Sequence, residues 1–130
     1  LKYLLDVNAL IALGHLEHAH HERVARWLHN EKTASLLTCS ITELGFVRIL
    51  VQALGYGFTI AHVQTLLVQI KKSRNYSFTL IADAQDASNL PAWVQTGKQT
   101  TDGHLVQLAK AHGAMLATLD AKIPGAFVIP

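Results

Sequence analysis

Along this chain, short unbroken apolar runs alternate with longer stretches in which apolar residues recur every third or fourth position. Lys2 to Leu5 ends in Asp6 and predicts a buried strand leading into a helix from about Asn8 to His15. From about His20 to Asn30, Val24, Ala25 and Leu28 share one helical face while Arg23 and Arg26 point elsewhere. Ser35 to Cys39 reads as a second strand. Ser40 then opens a long helix with the stripe Ile41, Leu44, Val47, Val51 and Leu54, ended by Gly55 and Gly57. Thr59 caps the next helix, whose stripe is Ile60, Val63, Leu67 and Ile70 and whose last turn carries Lys71 and Lys72 at the favourable end of the helix dipole.

Phe78 to Ala82 predicts a third strand. Residues 83–98 are rich in turn formers, with a short helix beginning at Pro91 to Val94. Thr101 to His112 predicts a helix with Leu105, Val106, Leu108 and Ala109 inside and Gly113 as its stop. Met115 to Leu119 and Ala126 to Ile129 are the last strands. Parallel strands need crossovers long enough to be helices, so this alternation implies a sheet covered on both faces. The expected architecture is a single domain over residues 1–130, a three-layer α/β/α sandwich whose mainly parallel sheet has about five short strands. Ligands of such sheets gather beyond the carboxyl ends of the strands.

Composition narrows the class. Half of the residues are apolar and only 15% are charged, against roughly 25% in ordinary soluble proteins, which excludes disorder and leads us to expect apolar surface buried against another chain. The net charge of +2 is too small for a general polyanion binder. Nucleic-acid contact would need a local patch, and Lys71, Lys72 and Arg74 form the best one, joined by Arg23, Arg26 and Lys98. Cys39 is the single cysteine, so an internal disulfide is excluded and a reducing, cytoplasmic home is expected. The amino-terminal apolar run is broken by Asp6, Asn8 and His15, and later runs by Arg48, Gln52, His62 and Gln69, short of the about 20 residues a membrane span requires.

Four acids stand where chemistry is expected. Asp6 and Asp120 each follow a predicted strand. Glu43 follows Ser40 in the Ser-x-x-Glu pattern of a capping box, yet it shares a helical face with Val47, Leu50 and Leu54. Asp102 sits in the first turn of its helix, where it complements the dipole, and shares a face with Leu105, Val106 and Ala109. Taken singly, each acid has an ordinary reading as a turn or cap residue. Together at one end of a sheet they would repel one another by several kcal/mol unless a cation neutralised them. Mg²⁺ or Mn²⁺ takes oxygen ligands and keeps waters, and such a site orients water for in-line attack on a phosphodiester.

These motifs resemble those of the PIN-domain ribonucleases, and most closely the VapC-type toxins of bacterial toxin–antitoxin pairs. Leu4-Leu5-Asp6-Val7-Asn8 looks like the first acidic motif, Ser40-Ile41-Thr42-Glu43 the second, Thr100-Thr101-Asp102 the third and Thr118-Leu119-Asp120 the fourth, with His18, His21 and Trp27 fitting the intervening pattern. The resemblance implies that Asp6, Glu43, Asp102 and Asp120 are catalytic and hold Mg²⁺ or Mn²⁺, with Asn8, Ser40 and Thr118 supporting them. It implies an RNA substrate, self-association into a homodimer, a VapB-type antitoxin and contact with DNA only through that antitoxin. The faces expected to meet partners are the turn from Leu54 to Phe58 and the helix pair around Leu10, Leu13, Leu16 and Trp27. Ala121 and Lys122 stand where VapC toxins often carry an Arg after the fourth acid.

Other chemistries fit less well. His18, His20 and His21 are close in sequence but project apart on a helix, without the cysteine pair of a zinc site. His104 is expected close enough to Asp102 to touch a substrate. Cys39, in an apolar strand, reads as a buried small residue. A phosphoacceptor receiver domain also gathers acids at strand ends, but Asp6 has no acidic neighbour and the acid after the third strand is Asp83. A non-catalytic binding module of the same fold is the other alternative.

Overall fold

Each parallel neighbour in a sheet has to be reached by a crossover, and here the crossovers are the helices that cover the sheet. The computed structural model describes all of residues 1–130 as β1 (Lys2–Leu5), α1 (Val7–Gly14), α2 (His21–Asn30), β2 (Ser35–Thr38), α3 (Ser40–Gln52), α4 (Ile60–Lys72), β3 (Ser77–Leu80), α5 (Thr100–Ala111), β4 (Met115–Thr118) and β5 (Phe127–Val128). The five strands are all parallel in the order β3-β2-β1-β4-β5. The order reverses between β1 and β4, so the crevice of a parallel sheet falls beyond the carboxyl ends of those two strands.

Strand side chains alternate between two cores. Tyr3, Leu5, Leu36 and Ala117 face the layer of α1 to α4, which contributes Leu10, Val24, Phe46, Leu50, Val63 and Leu67. Leu4, Leu37 and Leu116 face α5, where Leu105, Leu108 and Ala109 pack with Ile123 and the half-buried Trp93. Tyr3 meets Trp27 edge-on at 4.9 Å between ring centroids. At about 1.5–3 kcal/mol for each large side chain removed from water, these two cores supply the main stabilising term. No helix is long and apolar enough to cross a membrane.

Two expectations are corrected by the packing. The buried side of α3 is Thr42, Gly45, Phe46 and Leu50, whereas Ile41 and Leu44 of the expected stripe are exposed and Leu54 lies beyond the helix, 98% exposed. Apolar residues surround this helix, so their period alone admits more than one inward face. Gly45 settles it: a Cβ there would lie 2.7 Å from a Val7 methyl, so α3 crosses α1 at the one residue without a side chain. The second correction concerns 83–98, where Pro91 begins only a single turn, closed by the Val94 N–H to the Pro91 carbonyl at 3.0 Å. The short helix lies later, a 3₁₀ turn at Gly97–Gln99, in which the Gln99 amide oxygen accepts from the Gln95 and Thr96 N–H groups.

Candidate active site

Asp6 is the residue at which β1 becomes α1. Its N–H still pairs with the Ala117 carbonyl at 2.9 Å, extending the β1–β4 ladder, while its Oδ1 caps α1 by accepting from the Val7 N–H at 2.8 Å. The fully buried Thr118 hydroxyl, at the end of β4, donates to Asp6 Oδ2 at 2.7 Å. The Thr118 hydroxyl oxygen in turn accepts from the Asp120 N–H at 3.1 Å and from the Asn8 side-chain amide at 3.2 Å. Asn8 Oδ1 in turn accepts from the Leu119 N–H at 3.1 Å. Thr118 and Asn8 therefore lock the ends of β1 and β4 together and fix where Asp6 and Asp120 stand.

Asp102 enters from α5, in its first turn. Asp6, Asp102 and Asp120 line one cavity of about 450 Å³, with Asn8, His18 and Tyr56 also on its wall. Burial raises the Asp6 pKa above its ordinary value, opposed by the hydrogen bonds from Thr118 and Val7, and the charge of Asp120 raises it further. Burial also raises that of Asp102, and both Asp6 and Asp120 push it the same way. In both, burial is the larger cause and the neighbouring carboxylates add to it. A separate cleft of about 560 Å³, lined by Arg26, His29, Lys32 and Tyr76 among others, has no carboxylate on its wall.

Glu43 does not join the three aspartates on that wall. Its Oε2 accepts from the Thr38 hydroxyl at 2.5 Å and from the Lys71 ammonium at 2.7 Å. The Ser40–Glu43 capping box is a correction: Ser40 is the first helical residue and exposed, and the N-cap is Cys39. The Thr42 hydroxyl accepts from the Cys39 N–H at 3.0 Å and donates to the Cys39 carbonyl at 3.1 Å. A threonine hydroxyl at the third helical position thus satisfies the cap, and Glu43 is left free for Lys71. Ser40 makes none of the supporting contacts expected of it.

The basic patch is also redistributed. Lys71 belongs to Glu43, and Arg23 donates to the Ile129 carbonyl, with Nη2 at 2.5 Å. Lys72, Arg74, Arg26 and Lys98 remain exposed. His104, two residues after Asp102 on α5, pairs instead with Asp83 at 2.5 Å. Leu10, Leu13 and Trp27 are core residues, so of the expected helix-pair face only Leu16 is exposed. Lys71, Thr38 and Tyr56 were not readable as neighbours of the acids, because the packing of α4 and the turn after α3 brings them there.

No three acidic, histidine or cysteine side chains converge closely enough to coordinate an ion directly as they stand. The donor set nevertheless fits one: three carboxylates without a cation among them, two with pKa values raised by burial and mutual repulsion. Mg²⁺ commonly keeps several waters and takes only one or two carboxylates directly, so a loose oxygen cradle suits it.

The fold is that of a PIN domain. The chain belongs to the PIN domain family, whose model matches residues 3–126. It is 35% identical over 122 residues to Ribonuclease VapC38 of Mycobacterium tuberculosis, covering 92% of this chain and 86% of the relative. Among solved structures it is similar to VapC20 of Mycobacterium tuberculosis, a sarcin-ricin loop cleaving toxin, with a TM-score of 0.66 at 15% identity over 98% of this chain and 99% of the other. It also resembles a chain of VapBC2 from Rickettsia felis bound to a promoter DNA fragment, with a TM-score of 0.61 at 13% identity, covering 98% and 96% of the two chains.

Proposed function

We propose that this chain is a divalent-metal-dependent endoribonuclease of the VapC kind, the toxin of a toxin–antitoxin pair. The observation that carries the reading is the convergence of Asp6, Asp102 and Asp120 from β1, α5 and β4 on one cavity, within a family whose relatives are named ribonucleases. Asp6, Asp102 and Asp120 are the residues that would hold Mg²⁺ or Mn²⁺. When bound, such an ion activates water at neutral pH and neutralises charge on a phosphodiester in transition. Thr118 and Asn8 orient Asp6 and Asp120 through the hydrogen bonds described above. Glu43, neutralised by Lys71, orients from behind the site through Thr38 and water. No covalent adduct with the protein forms, since the site offers no activated side-chain nucleophile.

The partners proposed are a VapB-type antitoxin and a second copy of the chain, with DNA reached only through the antitoxin. Solved VapBC complexes of the same fold support the antitoxin. The exposed apolar side chains Leu44, Leu54 and Ile60 offer surface for one of these partners. A cytoplasmic setting is part of the same proposal, supported by the proposed RNA substrate and the free, buried Cys39.

Incubation with total bacterial RNA, mapping new 5′ ends, tests the reading. Cleavage in Mn²⁺ that is abolished by EDTA and by Asp120→Asn is the expected result. Equal cleavage with EDTA present would sink the metal role.

A further inference from the structure

The cavity that holds the three aspartates also carries an aromatic ring on its wall, that of Tyr56. After α3 the chain turns through Gly55 and Gly57, with φ of 90° and 64°, the left-handed region that glycine tolerates. A Cβ at either glycine would touch nothing, so backbone conformation and not space calls for them. Between them Tyr56 is held out, 43% exposed, on the cavity wall. Its ring meets the buried His15 edge-on at 4.6 Å and lies 5.3 Å from Phe58. Phe58 in turn stacks on His62 at 4.8 Å with an interplanar angle of 8°. Phe58 packs against the main core, whereas Tyr56 does not. A supported, outward-facing ring beside a catalytic crevice is a surface built for another flat ring.

We propose that Tyr56 is a stacking platform for one nucleobase of single-stranded RNA, adjoining the three carboxylates of the same cavity. The identity of the strand rests on the ribonuclease reading; the platform itself rests on the geometry just given. Ile11, Ile49 and Ala53 also line this cavity, which suits the face of a base and repels no phosphate. His18 borders the same cavity, and its Nδ1 accepts from the His20 N–H at 3.0 Å, which places the proton of the neutral ring on Nε2. That ring supplies one hydrogen-bond donor of a kind that bases use. Stacking on aromatic side chains tolerates every base, since each has a π-face, so the platform contributes affinity and register and leaves sequence choice to other contacts.

The test compares two labelled strands by fluorescence anisotropy: a short single-stranded RNA of random sequence, and an abasic ribose-phosphate strand of equal length. The protein carries Asp120→Asn to stop cleavage. Expected is about tenfold or more tighter binding of the base-bearing strand, kept by Tyr56→Phe and lost by Tyr56→Ala and by Tyr56→Leu. The leucine variant keeps apolar contact with the turn and guards against an alanine variant that melts early. Retention of the preference in both Tyr56→Ala and Tyr56→Leu overturns the proposal. So does equal binding of the two strands by the parent, which would assign the apolar wall to a segment of a protein partner. The cleavage experiment on total RNA is separate, so its failure would remove the ribonuclease reading, whereas loss of base preference alone would remove only the platform.

Discussion

The Lys71 ammonium lies 2.7 Å from Glu43 Oε2, and the two side chains are 29% and 19% exposed. This pair connects the last turn of α4 to the first turn of α3 and separates the fourth acid from the other three. A half-buried ion pair with one further hydrogen bond, from Thr38, is worth more than a solvated surface pair.

Lys71→Met is therefore expected to lower stability by about 1 kcal/mol, read from the urea midpoint. It should leave the salt dependence of RNA binding unchanged, because Lys71 is engaged with a carboxylate and not with phosphate. A slope of log K against log salt reduced by about one would make Lys71 a backbone contact after all.

Glu43→Gln is expected to cost a similar amount, about 1 kcal/mol, since the Lys71 ammonium then loses its counter-charge while Thr38 still finds an acceptor. Differential scanning calorimetry checks it. An unchanged melting temperature would mean that the pair contributes nothing in solution.

Asp6 and Asp102 give stability a definite pH dependence in the metal-free protein. Both have pKa values raised on folding, with burial the largest cause. Between the unfolded carboxylate value of about 4 and the raised folded value, the folded state binds more protons than the unfolded one. Stability contributed by these groups thus falls as pH rises through that window and returns on acidification. Asp102→Asn should raise the metal-free stability above that window and flatten the profile. Thermal melts across weakly acidic to neutral pH, in EDTA, decide the sign.

Mn²⁺ should stabilise the unmodified protein by mass action and leave Asp6→Asn almost unmoved. Titration calorimetry and melts in rising Mn²⁺ read the two effects independently. Equal stabilisation of both proteins would place the ion elsewhere.

Thr118→Val keeps shape and removes the hydroxyl that donates to Asp6 and accepts from Asp120 and Asn8. A buried carboxylate that loses a donor costs about 1–3 kcal/mol. Urea unfolding at neutral pH measures that loss, and cleavage should fall with it because Asp6 and Asp120 lose their common anchor.

The strands and most helices were legible because period two and period 3.6 are printed in the order of residues such as Tyr3, Leu4 and Leu5, or Leu105, Leu108 and Ala109. The strand-end acids Asp6 and Asp120 were legible for the same reason. The inward face of α3 was not, since Ile41, Leu44, Phe46, Ile49 and Leu50 surround the helix and only the close approach of Gly45 to Val7 chooses among them. The cap was misplaced by one residue because Ser40 and Glu43 satisfy the pattern in sequence, while Cys39 and Thr42 satisfy it in space. Lys71 and His104 found acids 28 and 21 residues away, and no local pattern records such a pairing.

β1 lies in the middle of the sheet, yet it is made first. Its partner β4 pairs Tyr3 with Met115, and the hydroxyl that holds Asp6 comes from a residue 112 positions later. During synthesis Asp6 therefore waits on an incomplete sheet, with neither Thr118 nor Asp120 yet in existence. The cluster proposed as catalytic cannot be complete on the ribosome until translation has passed Asp120. A cell making this protein meets the completed carboxylate cluster only after residue 120 has been made, which gives a partner already present the whole of that interval to be at hand.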